Sequence, residues 1–99
     1  MGDDSMRLDR FLWWTRLART RTAAQALAEE GRLRLDGRLV DRAHAPVRLG
    51  NILTFCAVGG RVRVLRVEAL PRRRGPPAEA QQCYIDLQAA NVSQQGELD

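Results

Sequence analysis

The side chains whose type and spacing could do chemistry in this sequence are arginines. Arg19 and Arg21 flank Thr20, Arg32 and Arg34 alternate with leucines, Arg38 and Arg42 follow, and Arg72, Arg73 and Arg74 form an unbroken run. Guanidinium forks pair bidentately with phosphate and stack on bases, so the chemistry on offer is the capture of a polyanion. Bond-making chemistry would need convergent groups of another kind. No Ser or Cys stands with a base, no carboxylate pair has a geometric partner, and there is no phosphate loop or metal-ligand spacing. The sequence therefore predicts a protein that is not an enzyme and uses no cofactor or metal. His44 stands alone and reads as a loop histidine.

The charge is unevenly distributed. All 16 basic residues are Arg, against 12 acidic ones, for a net charge of +4 and a pI near 10.4. From Arg7 to Arg48 there are ten arginines against Asp9, Glu29, Glu30, Asp36 and Asp41, and from Arg61 to Arg74 there are six against Glu68 alone. A basic body with more acidic ends suits a polyanionic partner, and a charged solvated face is the plainer explanation. Cys56 and Cys83 lie far apart and read as reduced thiols of a cytoplasmic protein. No apolar run is long enough to span a membrane, and Met1-Gly2-Asp3-Asp4-Ser5 lacks the features of a signal peptide.

Four elements must position the arginines. Leu8, Phe11, Leu12 and Thr15 recur at helical spacing within a first helix, Met6 to Leu17, with Asp9 in its first turn. Trp13 either packs in the core or presents a stacking platform for bases, and Trp13 and Trp14 cannot both centre on the same stripe. Thr20 is the N-cap of a second helix through Ala23 to Ala28, and Gly31 ends it. A helix N-terminus is already an anion site, and Arg19 and Arg21 add their charge there. Arg32 to Leu35 then pairs with Arg38 to Val40 across a type I′ turn at Asp36-Gly37. Alternation puts Leu33 and Leu35 on one face and Arg32 and Arg34 on the other.

Pro46 keeps its segment out of a central ladder position, Gly50-Asn51 turns the chain, and Ile52 to Val58 is the strand expected to be covered on both faces. Gly59-Gly60 reverses it into Arg61 to Ala69, whose phase change predicts a bulge near Val64 and Leu65. Pro71 to Pro77 reads as an extended basic linker, either solvated or in contact with nucleic acid. Ala78 to Ala90 is expected to form a helix with Ala80, Tyr84 and Leu87 on one stripe. The expected division is a disordered start over 1–5, a domain over 6–70, a linker and short helix over 71–90, and a disordered tail over 91–99. Structured RNA suits the basic surface better than duplex DNA, since no element offers a long helix to the major groove.

Arg7-Leu8-Asp9, Thr20-Arg21 with Ala24 and Leu27, Gly31, Leu33, Leu35, Asp36-Gly37 and Gly50-Asn51 together resemble the S-four, or alpha-L, RNA-binding domain over Arg7 to about Phe55. The resemblance implies an α+β fold, two N-terminal helices packed on a small, mainly antiparallel sheet, with a C-terminal basic linker and short helix. The run Arg7 to Trp13, the segment Arg16 to Arg21, the basic linker and Ala80 to Leu87 are similar to the small ribosome-associated heat-shock proteins and their ribosome quality-control relatives. That similarity implies a factor on large ribosomal subunits that still carry peptidyl-tRNA after a stalled ribosome has split. It would contact large-subunit ribosomal RNA and the tRNA, with a quality-control protein on the same subunit as a further candidate partner.

By position, the resemblance places Arg7, Arg19, Thr20, Arg21 and Arg32 at the RNA, and Arg16 falls in the same run. Gln25 stands where many relatives place an arginine. Asp36 and Asn51 stand where relatives often have Asn and Asp, changes that keep the turn chemistry. Arg7, Arg16, Arg19, Thr20, Arg21, Gln25 and Arg32, with Trp13, Arg34, Arg38, Arg42, Arg72, Arg73 and Arg74, make up the expected RNA-binding set. The long basic C-terminal extension of some heat-shock members is missing, which favours a compact quality-control version. The competing reading is an accessory module acting in trans with an RNA-modifying enzyme, since the same fold is often attached to such enzymes and this length leaves no room for a catalytic domain.

Overall fold

The computed structural model describes residues 4–57 and 60–87. In chain order the elements are β1 (Ser5–Arg7), α1 (Leu8–Trp14), α2 (Arg21–Glu29), β2 (Leu33–Leu35), β3 (Arg38–Val40), β4 (Pro46–Arg48), β5 (Ile52–Cys56), β6 (Val62–Val67), α3 (Pro77–Gln81) and β7 (Tyr84–Asp86). Five strands form an antiparallel sheet in the order β3-β2-β5-β6-β7, and β1 pairs separately with β4. The class is α+β, with α1 and α2 packed on the sheet, as the sequence implies.

The apolar stripe of α1 carries the core. Leu8, Phe11 and Leu12 are fully buried and meet Ala24 and Ala28 of α2 and Leu33, Leu53, Phe55, Leu65 and Val67 of the sheet. Fully burying a Leu or Phe side chain stabilises by about 1.5–3 kcal/mol, so these few residues supply much of the driving force. The helix is shorter than Met6 to Leu17. Met6 and Arg7 are extended instead, opposite Val47 and Pro46, because loop carbonyls take over the cap: Leu8 N donates to Ala45 O at 2.9 Å and Asp9 N to Ala43 O at 3.0 Å. Ser5 already belongs to β1, pairing with Arg48, so ordered structure begins one residue before the expected boundary. At the other end Arg16, with φ 63°, takes the left-handed conformation that closes the helix.

The second helix follows its sequence signals closely. Thr20 Oγ1 accepts from Ala23 N at 3.0 Å, α2 starts at Arg21, and Gly31 at φ 71° takes the chain out of the helix. Asp36 (φ 52°) and Gly37 (φ 85°) form the primed turn between β2 and β3. Asp36 does more than turn. Its carboxylate accepts from Asn51 Nδ2 at 2.7 Å and Ile52 N at 2.8 Å, while Asn51 Oδ1 accepts from Arg48 N at 2.6 Å. One exposed network thus ties the β2–β3 turn to the turn that opens β5.

Three strand expectations need correction. β5 is central, yet it is covered on one face: Leu53 and Phe55 are buried, whereas Ile52 and Thr54 are partly exposed and Cys56 is exposed. The buried side chains of α1 and α2 join a single cluster on one side of the sheet. The bulge at Val64 and Leu65 is absent, and β5 and β6 pair without interruption from Ile52↔Arg66 to Cys56↔Val62. Arg63 therefore shares the core side with Leu65 and Val67, at a cost offset by its contact with Asp86 at 3.0 Å and its position 5.9 Å from the Tyr84 ring centroid. The third correction concerns the final helix. It ends at Gln81, and Tyr84 to Asp86 pair with β6 instead, since an open strand edge favours a partner with β-forming residues such as Tyr and Ile.

Ala80 is buried as expected, but Tyr84 reaches the core from a strand, so the proposed helical stripe does not form. The linker is likewise not simply solvated: Gly75 is buried and its carbonyl accepts from Arg16 Nε at 2.7 Å. Positions 1–3, 58–59 and 88–99 lie outside the described residues, which takes in parts of the N-terminal, Val58, Gly59, final-helix and C-terminal expectations.

Two stability outcomes follow from these turns. No atom lies within 4 Å of a Cβ built at Gly31, so Gly31→Val should destabilise through backbone conformation alone, by about 1–2 kcal/mol; a melting curve superimposable on the parent's would show that the left-handed cap is not required. Asp36→Ala should cost about 1–2 kcal/mol in urea unfolding by removing two turn-bridging hydrogen bonds. Asn51→Ala should then add little to it, and full additivity of the two would dissolve the proposed network.

Candidate functional site

The first turn of α2 lies beside the outer face of α1, and the two helices enclose a cavity of about 170 Å³ lined by Arg7, Asp9, Arg10, Trp13, Trp14 and Arg21. Three guanidinium groups face one carboxylate there. Asp9, 6% exposed, accepts from Arg7 through two contacts of 3.1 Å, Nε to Oδ1 and Nη2 to Oδ2, and from the Arg10 amide at 2.8 Å. A nearly buried carboxylate thus fixes the fork of Arg7 at the cavity's edge while leaving its side chain half exposed.

The indoles are held by cations. Arg10 lies 5.4 Å from the Trp14 ring centroid, while Arg21 and Arg74 lie 5.9 and 5.6 Å from that of Trp13. Such placements are mutually attractive through the ring quadrupole. Trp13 is partly buried and packs against the core, in line with the core-packing reading. Arg74 comes from the linker 61 positions along the chain, and its Nε is buried without a hydrogen-bond partner. Arg16, bound to Gly75, helps to pin the same linker onto α1.

A second group of expected residues lines a wider groove of about 510 Å³, where Arg16, Arg19 and Arg32 stand around Leu27, Phe55 and Cys56. Arg32 also contacts Glu30. The arginines of β2 and its approach part company: Arg34 faces the open side of the sheet, in register with Leu39 and Thr54, and donates to Gly37 O at 3.3 Å. Arg38 sits opposite Leu35, on the helix side of the sheet edge. Arg42 is exposed beside Asp41, and Arg72 and Arg73 are exposed, the latter contacting Glu79 at 3.2 Å. Gln25 is partly buried on α2 and lines neither hollow. Thr20 spends its hydroxyl lone pair on the helix cap.

The α1–α2 cleft therefore gathers Arg7, Trp13 and Arg21 with Arg74 behind them, and leaves Arg34, Arg38 and Arg42 elsewhere. Asp9, Arg10 and Trp14 belong to it but escaped the sequence reading. Their signal was present: Arg10 and Trp14 stand four residues apart, which aligns them on one side of α1 next to the apolar stripe, and Arg7 precedes them at the end of β1. What the arrangement can do chemically is hold phosphate and stack planar groups. The first-turn amides of α2 add to it, since a helix start has no carbonyl one turn back.

Among the described residues, no group of three or more His, Cys, Asp or Glu side chains is placed to hold a metal ion, and no helix is long and apolar enough to cross a membrane. Cys83 is buried, and burial, reinforced by the Glu79 carboxylate, raises its thiol above the ordinary range, so it is protonated at neutral pH and is a poor nucleophile.

Residues 6–53 match the S4 domain family, a span that includes α1, α2, the β2–β3 turn and the turn before β5 that Asp36 ties to it. No curated protein sequence matches the chain. Among solved structures, it is similar to the trimeric structure of heat shock protein 15 from Vibrio cholerae, with a TM-score of 0.80 and 24% identity over 95% of this chain and 93% of that one. Residues 6–53 thus match the S4 domain family, and the chain carries that stretch within a fold similar to that of heat shock protein 15.

Proposed function

We propose that this protein is a non-catalytic RNA-binding factor of the large ribosomal subunit, acting on ribosomal RNA and peptidyl-tRNA in the rescue or quality control of stalled translation in the cytoplasm. The observation that carries the reading is the α1–α2 cleft, in which Arg7, Arg10 and Arg21 converge beside two indoles within the S4-matched residues. Guanidinium and indole bind phosphates and bases without transforming them, which favours a binding role over catalysis. The similarity in fold to heat shock protein 15 and the sequence resemblance to ribosome-associated quality-control factors support the ribosomal target.

In this reading Arg7, Trp13, Arg21 and Arg74 form the centre of the RNA surface. Arg16, Arg19 and Arg32 extend it along the neighbouring groove, and Arg72 and Arg73 extend it along the linker. Thr20 and Gln25 act through α2, Thr20 by holding the helix start in place. Arg34, Arg38 and Arg42 contribute long-range attraction from other parts of the surface.

Arg21→Ala should weaken RNA binding while leaving the melting temperature nearly unchanged. The slope of log affinity against log salt should fall by about one, the loss of a single phosphate contact. Equal affinities for mutant and parent across the salt range would remove Arg21 from the surface. In sucrose gradients of cell extract, the parent protein should sediment with the large subunit and Arg21→Ala should shift toward free protein. Sedimentation with one stoichiometric protein partner, and with no ribosomal particle, would favour the accessory-module reading instead.

A further inference from the structure

We infer that the α1–α2 cleft receives an unpaired base of the RNA, with Trp14 and Arg10 as binding residues beside Trp13 and Arg21. The inference deepens the RNA-binding reading and rests on it: the arginines explain affinity for phosphate, but phosphate binding alone gives no reason for two adjacent indoles at the same opening. Trp13 and Trp14 both line the cavity, neither is fully buried, and each has a guanidinium over its ring. The cavity also has the wrong size for a larger ligand. At about 170 Å³ it lies below the ~300 Å³ at which sites for drug-sized molecules begin, so it suits a single planar ring system with its sugar and phosphate left outside.

The surrounding groups match such a nucleotide from two sides. Arg10 and Arg21 present flat cations over the rings, and a guanidinium plane is itself a surface on which a base stacks. The Asp9 carboxylate, held by Arg7 and the Arg10 amide, is a fixed hydrogen-bond acceptor in the lining. A regular duplex cannot supply the ring, because its bases are stacked inside the helix; the target must offer a bulge, a loop or an end. Arg74, over the Trp13 ring, is not part of the lining, so the linker holds the platform from outside the cavity.

The test uses an RNA hairpin with a single bulged adenosine and the same hairpin with an abasic residue at the bulge, which keeps every phosphate. The full-length protein should bind the adenosine form about tenfold more tightly, within the range expected for one stacked base. Trp14→Leu should abolish that ratio with little effect on the abasic hairpin, Trp14→Phe should keep most of it, and Arg21→Ala should weaken both hairpins. Equal affinity of the parent protein for the two hairpins would overturn the base pocket while leaving the RNA-binding reading intact; failure to bind either would sink that reading itself. Competition by free AMP at concentrations comparable to the hairpin's would assign the cavity to mononucleotides and overturn the proposal as well. The parent comparison decides the matter even if the Trp14 variants fold poorly.

Discussion

The structure depends on one constraint: a short chain has enough apolar surface to cover one side of its sheet, and α1 supplies the cover. Leu8, Phe11 and Leu12 are fully buried, and the alanines of α2, Ala24 and Ala28, are small enough to let the second helix close over the same core. Everything polar must then go elsewhere. The side of α1 that cannot face the sheet carries Arg10 and Trp14, and with Arg7 at the end of β1 it meets the start of α2 at the cleft. The site is, in this sense, the reverse side of the core.

The same constraint explains how the cleft is kept rigid. The start of α1 is fixed by main-chain carbonyls of the loop before β4, and its end by the left-handed turn at Arg16, whose guanidinium also holds the linker. An arginine in that conformation costs about 1–2 kcal/mol relative to glycine, and the contact with Gly75 is a side-chain role that glycine could not fill. Asp9, nearly buried, transmits the position of α1 directly to Arg7. Guanidinium groups on long side chains lose much rotamer freedom when a ligand fixes them; holding Arg7, Arg21 and Arg74 beforehand against a carboxylate or an indole reduces that loss.

The opposite side of the sheet has no such cover among the described residues. It presents Leu39, Val62 and Ile85 with Arg34 and Arg66. Its basic residues are spread among apolar ones, which distinguishes it from the cleft and leaves Arg34 remote from the converging arginines.

Local chemistry made much of this legible in the sequence: the Thr20 cap, the Gly31 stop, the Asp36-Gly37 turn and the buried stripe of α1 each depend on residues within a few positions of one another. The S4 resemblance was legible for the same reason, since its motifs are these local signals in order. Pairings between distant segments were not. Met6 and Arg7 look helical until Pro46 to Arg48 offers them a strand partner, and Tyr84 to Asp86 look helical until β6 offers an open edge. The linker's arginines were visible as a run, but only tertiary packing singled out Arg74 to lie against Trp13 while Arg72 and Arg73 remained in solvent. Sequence by itself determined which side chains carry phosphate-pairing and stacking chemistry; the packing of α1 against one side of the sheet decided which of them meet, because burial is a property of the whole fold and no local pattern contains it.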